Sequence, residues 1–402
     1  MVQKAMRRNI TVRELVSMVD TRMLDEVATL TDVNFQVKKL SGQVIFKLLL
    51  LAILDDTKVS LRIMEDLFST MRFKVFAKTN NDESTRFNSI SDRLSRIDAS
   101  FFATIFEQTF ILCQSQFGKN APDALGLRLF DSTVISASSK LLKHGMINGL
   151  ADKSGEHGIR QIKFTIGLQE GMPQKILLFN EQQHLGEDLT LREILMQSAF
   201  EPNEVAVFDR GLKKRKTFQE LKDKGVFFVT RINPSKNIEV IKEFYVVPGT
   251  QTNSLQIHSD QLVYLYHEKK VKLKEPFRLV KATSLQSDET LWFLTNIEEN
   301  VPAATITEIY KQRWSIEVFF KFIKQHLHLK HFLSYTENGI KVMMYMSMIA
   351  AILLLTYKKK NELNGYKRVK YRFVEELDSE IVREIVLLCG GDPGKSPLFS
   401  SA

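Results

Sequence analysis

The chain has 402 residues, with 56 Lys and Arg against 47 Asp and Glu, a formal surplus of nine positive charges. An apolar share of 44% excludes a disordered tail, and two cysteines, Cys113 and Cys389, exclude a disulfide framework or a cysteine-based zinc site. The length allows roughly two to three domains of about 150 residues, and the surplus charge permits a polyanionic partner without requiring one.

The first twenty residues are charged early and lack the apolar core of a signal peptide. The apolar runs at 44–54 and 342–355 fall short of the roughly 18 to 20 residues of a membrane span. The expectation is therefore buried helices, no membrane partner and a cytoplasmic setting.

In chain order, residues 11–118 show helical patterns only. Candidate helices cover 44–54, 59–71 and 88–97, the last continuing into an aromatic-rich stretch at 101–117. Residues 89–96 present Ser, Asp and Arg among apolar residues, as a helix entering a groove does; a solvated helix face gives the same pattern. Near residue 121 the period changes. Runs at 125–135, 159–169, 174–180, 204–209 and 226–232 read as strands, with helices at 189–200 and 213–224. That alternation predicts an α/β sheet. Residues 233–300 carry short β-prone runs separated by polar turns. A long helix at 304–329, an apolar helix at 340–357 and a basic, less regular tail follow. The expected domains are 1–120, 121–232, 233–300, 301–360 and 361–402.

Three carboxylates stand out by position. Asp131 interrupts an apolar strand and Asp209 ends another, followed by Gly211. A charge there is costly unless paired, solvated or metal-bound. Either acid alone is commonly a cap or turn residue, but two at strand ends of one sheet suggest a site. The third is Glu317. At about 100° per residue, with Tyr310 at zero, Arg313, Glu317, Lys321 and Lys324 all fall within roughly 80° of arc. An amphipathic surface helix explains the period. It does not explain one acid among so many cations, which suits a phosphodiester: the acid holds a metal ion while Arg and Lys hold phosphate oxygens. Three carboxylates from separate elements suit two divalent cations acting on phosphorus.

Tyr310, Arg313, Glu317 and Lys324 match a Y-x2-R-x3-E-x6-K signature, and with the FDST run at 130–133, the FDRGL run at 208–212 and the FLTN run at 293–296 the chain resembles bacterial insertion-sequence DDE transposases of the insertion sequence four family. The resemblance covers roughly residues 121–357. It implies a ribonuclease-H-like α/β core interrupted by a β-rich insertion, behind a helical N-terminal DNA-binding domain. It implies Asp131, Asp209 and Glu317 as the catalytic, metal-binding triad, holding two Mg2+ ions for which Mn2+ can substitute. Tyr310, Arg313 and Lys324 would contact phosphates, and Trp292 and Trp314 are candidates to stack on a flipped base. Lys321 and the KKRK run of Lys213, Lys214, Arg215 and Lys216 could extend the DNA track, although such runs are commonly solvated faces. The implied partners are DNA, as terminal inverted repeats and target, and a second copy of the chain. The implied reaction is cut-and-paste transposition through hairpin ends, in a bacterial cytoplasm with the protein on the nucleoid when bound. A domesticated DNA-binding protein without catalysis, or a metal-dependent nuclease without strand transfer, remain the alternatives.

Two weaker features carry less. The GGDPGKS run at 390–396 lacks the first Gly of a phosphate-binding loop, because Cys389 stands there. His326, His328 and His331 lie close together without a second ligand cluster for zinc.

Overall fold

A computed structural model describes residues 9–55, 59–117, 125–136, 145–148, 159–267, 271–329, 332–334 and 336–395. His331 and the expected boundary near residue 120 lie outside them. The chain divides into two units, one formed by Met1–Gly118 with Lys321–Ala402, the other by Lys119–Phe320.

The first unit is helical among its described residues: α1 (Val12–Ser17), α2 (Thr21–Leu30), α3 (Gly42–Leu54), α4 (Leu61–Ser69), α5 (Met71–Ala77), α6 (Phe87–Arg96) and α7 (Ala99–Gln114). Short polar side chains start most of them. Thr11 and Glu14 form a capping box on α1, and Asp20, Ser41, Ser60, Thr70 and Asp98 each accept a backbone N–H at their helix start. Thr70 caps α5 directly after α4, so the single helix expected over 59–71 ends there. At the other end of the chain this unit gains α12 (Glu337–Lys360) and α13 (Tyr366–Leu388). α12 packs against α7, α3, α6 and α13. Its 24 residues are long and apolar enough to cross a membrane, but 83% of its apolar window is buried among its neighbours. The expected irregular tail is corrected by α13, which buries Val369, Phe373, Leu377 and Ile381 at every fourth position.

Among the described residues the second unit is built on an eleven-stranded sheet. Its strands are β1 (Gly126–Ser136), β2 (Met146–Asn148), β3 (Ile159–Gln169), β4 (Met172–Phe179), β5 (Glu204–Phe208), β6 (Phe227–Ile232), β7 (Ile238–Phe244), β8 (Leu255–His267), β9 (Val271–Lys272), β10 (Phe277–Ser284) and β11 (Thr290–Thr295). β1, β3 and β4 form an antiparallel meander, and β5 and β6 then run parallel to β1. The β3–β4 turn places Glu170 and Gly171 at φ 52° and 81°, the left-handed pair that tight hairpins use. β11 joins β6 antiparallel, so the β-rich stretch continues the same sheet through β10, β8 and β7. All five residues of β5 are buried, as expected of a parallel strand covered on both faces. Phe208, Phe218, Phe228 and Phe277 pack together in the core beside it. Helices α8 (Glu187–Gln197), α9 (Arg215–Asp223) and α10 (Ala303–Lys311) lie on this sheet.

The long helix expected over 304–329 is broken. α10 ends at Lys311 and α11 (Trp314–His326) begins three residues later. Gln312, Arg313, Ser315 and Ile316 all donate backbone bonds three residues back, so the helix tightens for one turn between Tyr310 and Glu317.

Candidate active site

The site forms where β1 and β5 run side by side. Phe130 pairs in register with Phe208, so the next residues, Asp131 and Asp209, leave neighbouring parallel strands at the same level. Asp131 continues within β1, where Ile166 of β3 is its partner, and Asp209 turns out of the sheet. Its Oδ1 accepts the Gly211 N–H at 2.6 Å and its carbonyl accepts the Thr230 hydroxyl at 3.1 Å. A Cβ at Gly211 would meet the Glu187 carboxylate and stand 2.8 Å from Asp209 Oδ1, so the glycine leaves both acids room.

The tightened turn between α10 and α11 delivers a guanidinium to the acids. Arg313 Nη1 lies 3.3 Å from Asp131 Oδ2, and Nη2 lies 2.6 Å from Glu317 Oε1. One cation therefore joins the strand acid to the helix acid across 182 and 4 residues of sequence. Asp131 and Arg313 are mostly buried, with side-chain exposures of 14% and 17%; Glu317 is at 35%. Tyr310 packs edge-on against Phe293, ring centroids 5.3 Å apart, and Arg313 lies over the tyrosine face at 5.7 Å.

Electrostatics mark the site. Burial pushes the Asp131 carboxyl up to about 7; the Ser132 N–H works against this, Asp209 and Glu187 add to it, and Arg313 opposes it. Burial, then Asp209, raises Glu187 as well. Burial works against the charge on Arg313, yet Tyr310, Glu317 and Asp131 together hold it above its ordinary value. Two carboxylates, Asp131 and Glu317, thus hold the guanidinium, and Asp209 and Glu187 add negative charge near Asp131.

The other sequence-selected residues fall in varied surroundings. Trp314 is 65% exposed at the start of α11, whereas Trp292 is half-buried in β11 against the core, with Lys281 Nζ 4.6 Å from its ring. Lys321 is exposed and Lys324 half-buried further along α11. Lys213, Lys214 and Lys216 are exposed, with the first two backbone N–H groups bound to Asp188 Oδ1. Arg215 is committed elsewhere: its Nη1 donates to the carbonyls of Asn237 at 2.7 Å and Tyr266 at 2.9 Å.

Glu187 is the acid that sequence reading did not single out. At the first position of a helix an acid is ordinary, because it complements the helix dipole. Only the fold sets it beside Asp209.

A family model described as "Transposase DDE domain" matches residues 125–353, more than half of the chain. The chain belongs to the DDE transposase family. Members of that family are metal-dependent enzymes that cleave DNA. The transposase is 27% identical over 261 residues to a protein named as transposase y4zB of Sinorhizobium fredii, covering 64% of this chain and 69% of that one. It is 29% identical over 227 residues to a protein named as the transposase for insertion sequence element IS4SA of Synechocystis sp., covering 56% and 58%. Against a solved piggyBac transposase synaptic complex with hairpin DNA, it aligns over 98% of this chain and 84% of that one at 11% identity, with a TM-score of 0.47.

The donor chemistry fits the divalent metal that the family requires. The candidate ligands are carboxylate oxygens only, as hard cations prefer, and their charge exceeds that of Arg313 beside them. Among the described residues no three His, Cys, Asp or Glu are already gathered at ligand spacing. Arg313 holds Asp131 and Glu317 on separate arms.

Proposed function

We propose that this transposase binds the terminal inverted repeats of an insertion sequence, cleaves the element ends and joins their 3′-ends to target DNA by a cut-and-paste route through hairpin ends. The observation that carries the reading is that Arg313 joins Asp131 to Glu317 while Asp209 leaves the neighbouring parallel strand at the level of Asp131. The sheet order β4-β3-β1-β5-β6, antiparallel then parallel, supports reading the core as ribonuclease-H-like, with β7–β11 as the insertion between the second Asp and the Glu.

Asp131, Asp209 and Glu317 would hold two Mg2+ ions, with Mn2+ as a substitute. Bound there, such ions activate a water or 3′-hydroxyl and stabilise the leaving oxygen at phosphorus. The protein's own residues do the positioning. Arg313 exchanges its carboxylate partners for a phosphate oxygen when DNA enters, since its fork suits either. Tyr310, its ring fixed by Phe293, presents its hydroxyl to the same backbone. Lys321 and Lys324 extend this track along α11, and exposed Lys213, Lys214 and Lys216 extend it beyond Asp209. Trp314 is exposed and suited to stacking on an unpaired base, which is worth roughly 1–3 kcal/mol. Trp292 is already packed against the core, with Lys281 over its ring.

In the helical unit, α6 offers Ser89, Asp92 and Arg96 to a cleft of about 920 Å³ that Lys38, Lys39 and Arg86 also line, and we assign the recognition of the element end to it. Arg93 is spent on structure, donating to the carbonyls of Leu40 and Val33 at 2.9 and 2.6 Å. The active form is a homodimer, because two ends are joined together, working on the nucleoid in a bacterial cytoplasm.

Incubating the protein with labelled DNA carrying the element ends, Mg2+ and a supercoiled plasmid tests the reading. Cleaved ends joined to plasmid are expected. Cleavage without joining would replace the proposal with a nuclease, and binding without cleavage with a domesticated DNA-binding protein.

A further inference from the structure

We infer that Glu187 is a fourth metal-holding carboxylate of this site, acting on the Asp209 side; the inference rests on reading Asp131, Asp209 and Glu317 as a metal centre. Glu187 is the first residue of α8, which packs against β1 and β3 and so reaches the strand that carries Asp131. Its Oε2 and Asp209 Oδ1 converge on the same face of Gly211, closely enough that a single added methyl would meet both. Its charge acts on Asp131 too.

The neighbouring acid makes the contrast. Asp188 has a structural task, accepting the Lys213 and Lys214 N–H groups and so fastening the segment after Asp209 to α8. Glu187 has none of this kind: among the described residues its carboxylate makes no hydrogen bond and no ion pair within 4.0 Å. The cations that act on it stand further off. Lys163 is tied by its Nζ to the Leu185 carbonyl at 2.6 Å, Lys213 is exposed, and Arg313 is held by Asp131 and Glu317.

Glu187 is exposed, so what singles it out is its like charge beside Asp209 and near Asp131, a repulsion that a cation set between the carboxylates relieves. Arg313 supplies that cation for Asp131 and Glu317 and reaches neither oxygen pair on the other side within bonding distance. The geometry therefore divides the acids into two sets: Asp131 and Glu317 on the guanidinium, Asp209 and Glu187 facing each other. Carboxylate oxygens paired in this way suit a hard divalent ion, bound directly or through one of its waters.

The test is Mn2+ binding to the full-length protein, counted by loss of the free Mn2+ electron-spin resonance signal, in wild type, Glu187→Gln, Glu187→Asp, Asp209→Asn and Glu220→Gln. Glu220 is a control acid, paired with Arg192 at 2.9 Å. We expect Glu187→Gln and Asp209→Asn each to weaken Mn2+ binding at least tenfold, Glu187→Asp to restore part of it, and Glu220→Gln to change nothing. Unfolding midpoints in chelator should not fall for Glu187→Gln, because it relieves repulsion. Wild-type binding by Glu187→Gln with loss in Asp209→Asn overturns the assignment of Glu187 and leaves the metal centre standing. Wild-type binding by Asp209→Asn, or no Mn2+ bound by wild type at millimolar concentration, overturns the metal centre itself. A lowered midpoint in Glu187→Gln with unchanged Mn2+ binding makes the residue structural only.

Discussion

Two guanidinium groups act at levels three residues apart on β1, Arg128 of the strand itself and Arg313 at Asp131, and they do opposite things. Arg128, in β1, meets one acid, Glu204 of β5, at 3.4 Å, and the pair is almost fully buried with exposures of 2% and 8%. The same Nη1 also donates to the Ala199 carbonyl, Nη2 donates to Gln174 Oε1, and Phe200 covers the guanidinium at 4.5 Å. Glu204 is equally occupied, accepting from Gln169 and the Glu201 N–H. At the level of Asp131, the same chemistry is unbalanced. Arg313 serves Asp131 and Glu317 while Asp209 and Glu187 stand beside them. Each guanidinium leaves its Nε unpaired, so the difference lies with the acids. A matched pair fixes the register of two parallel strands. A surplus of carboxylates leaves negative charge that Arg313 alone does not balance, the charge pattern that suits a hard divalent cation.

The comparison breaks most visibly at the matched pair. Arg128→Ala strands Glu204 in the core and should destabilise the second unit by about 3–5 kcal/mol, as removal of one partner of a buried pair does. Denaturant unfolding measures it; a loss below about 1 kcal/mol would make the two regions alike.

The next test uses pH. Asp131 is held up at about 7 by burial, above its ordinary value of 3.8, so the folded protein keeps a proton that the unfolded chain releases. Stability in chelator should therefore fall as pH rises from about 4 to 7 and level off above, with a slope of at most about 1.4 kcal/mol per pH unit from this group. Asp131→Asn should remove that part of the slope. An identical pH profile in the variant would mean that Asp131 ionises normally in the fold.

The smallest effect is expected at the DNA track. Lys324→Ala should weaken end binding by about 1 kcal/mol or less and reduce the salt dependence of binding by about one unit of slope. Gel-shift titrations across a salt series read both; an unchanged slope would take Lys324 off the phosphate backbone.

Parts of this were legible in the sequence because single-residue patterns carry them. β3 occupies the residues expected from its apolar run, and Asp131 and Asp209 stand out as charges within and just after such runs. The break at Arg313 was hidden because Ile306, Ile309, Ile316 and Phe319 keep a helical rhythm through it, and one tight turn shifts the phase too little to disturb that rhythm. α13 was masked by its basic residues although its buried stripe repeats every fourth position. Arg128 and Glu204 are 76 residues apart, and nothing local links them. Glu187 is the clearest case of a position whose meaning comes from the fold alone.

The central claim, that the unbalanced acids serve DNA cleavage, is tested most directly by Glu317→Gln. This change keeps the shape and removes one negative charge. End cleavage in Mg2+ should fall at least a thousandfold, an effect on the order of 4 kcal/mol, while end binding in the same gel remains near wild type. Cleavage within tenfold of wild type by this variant would contradict the account.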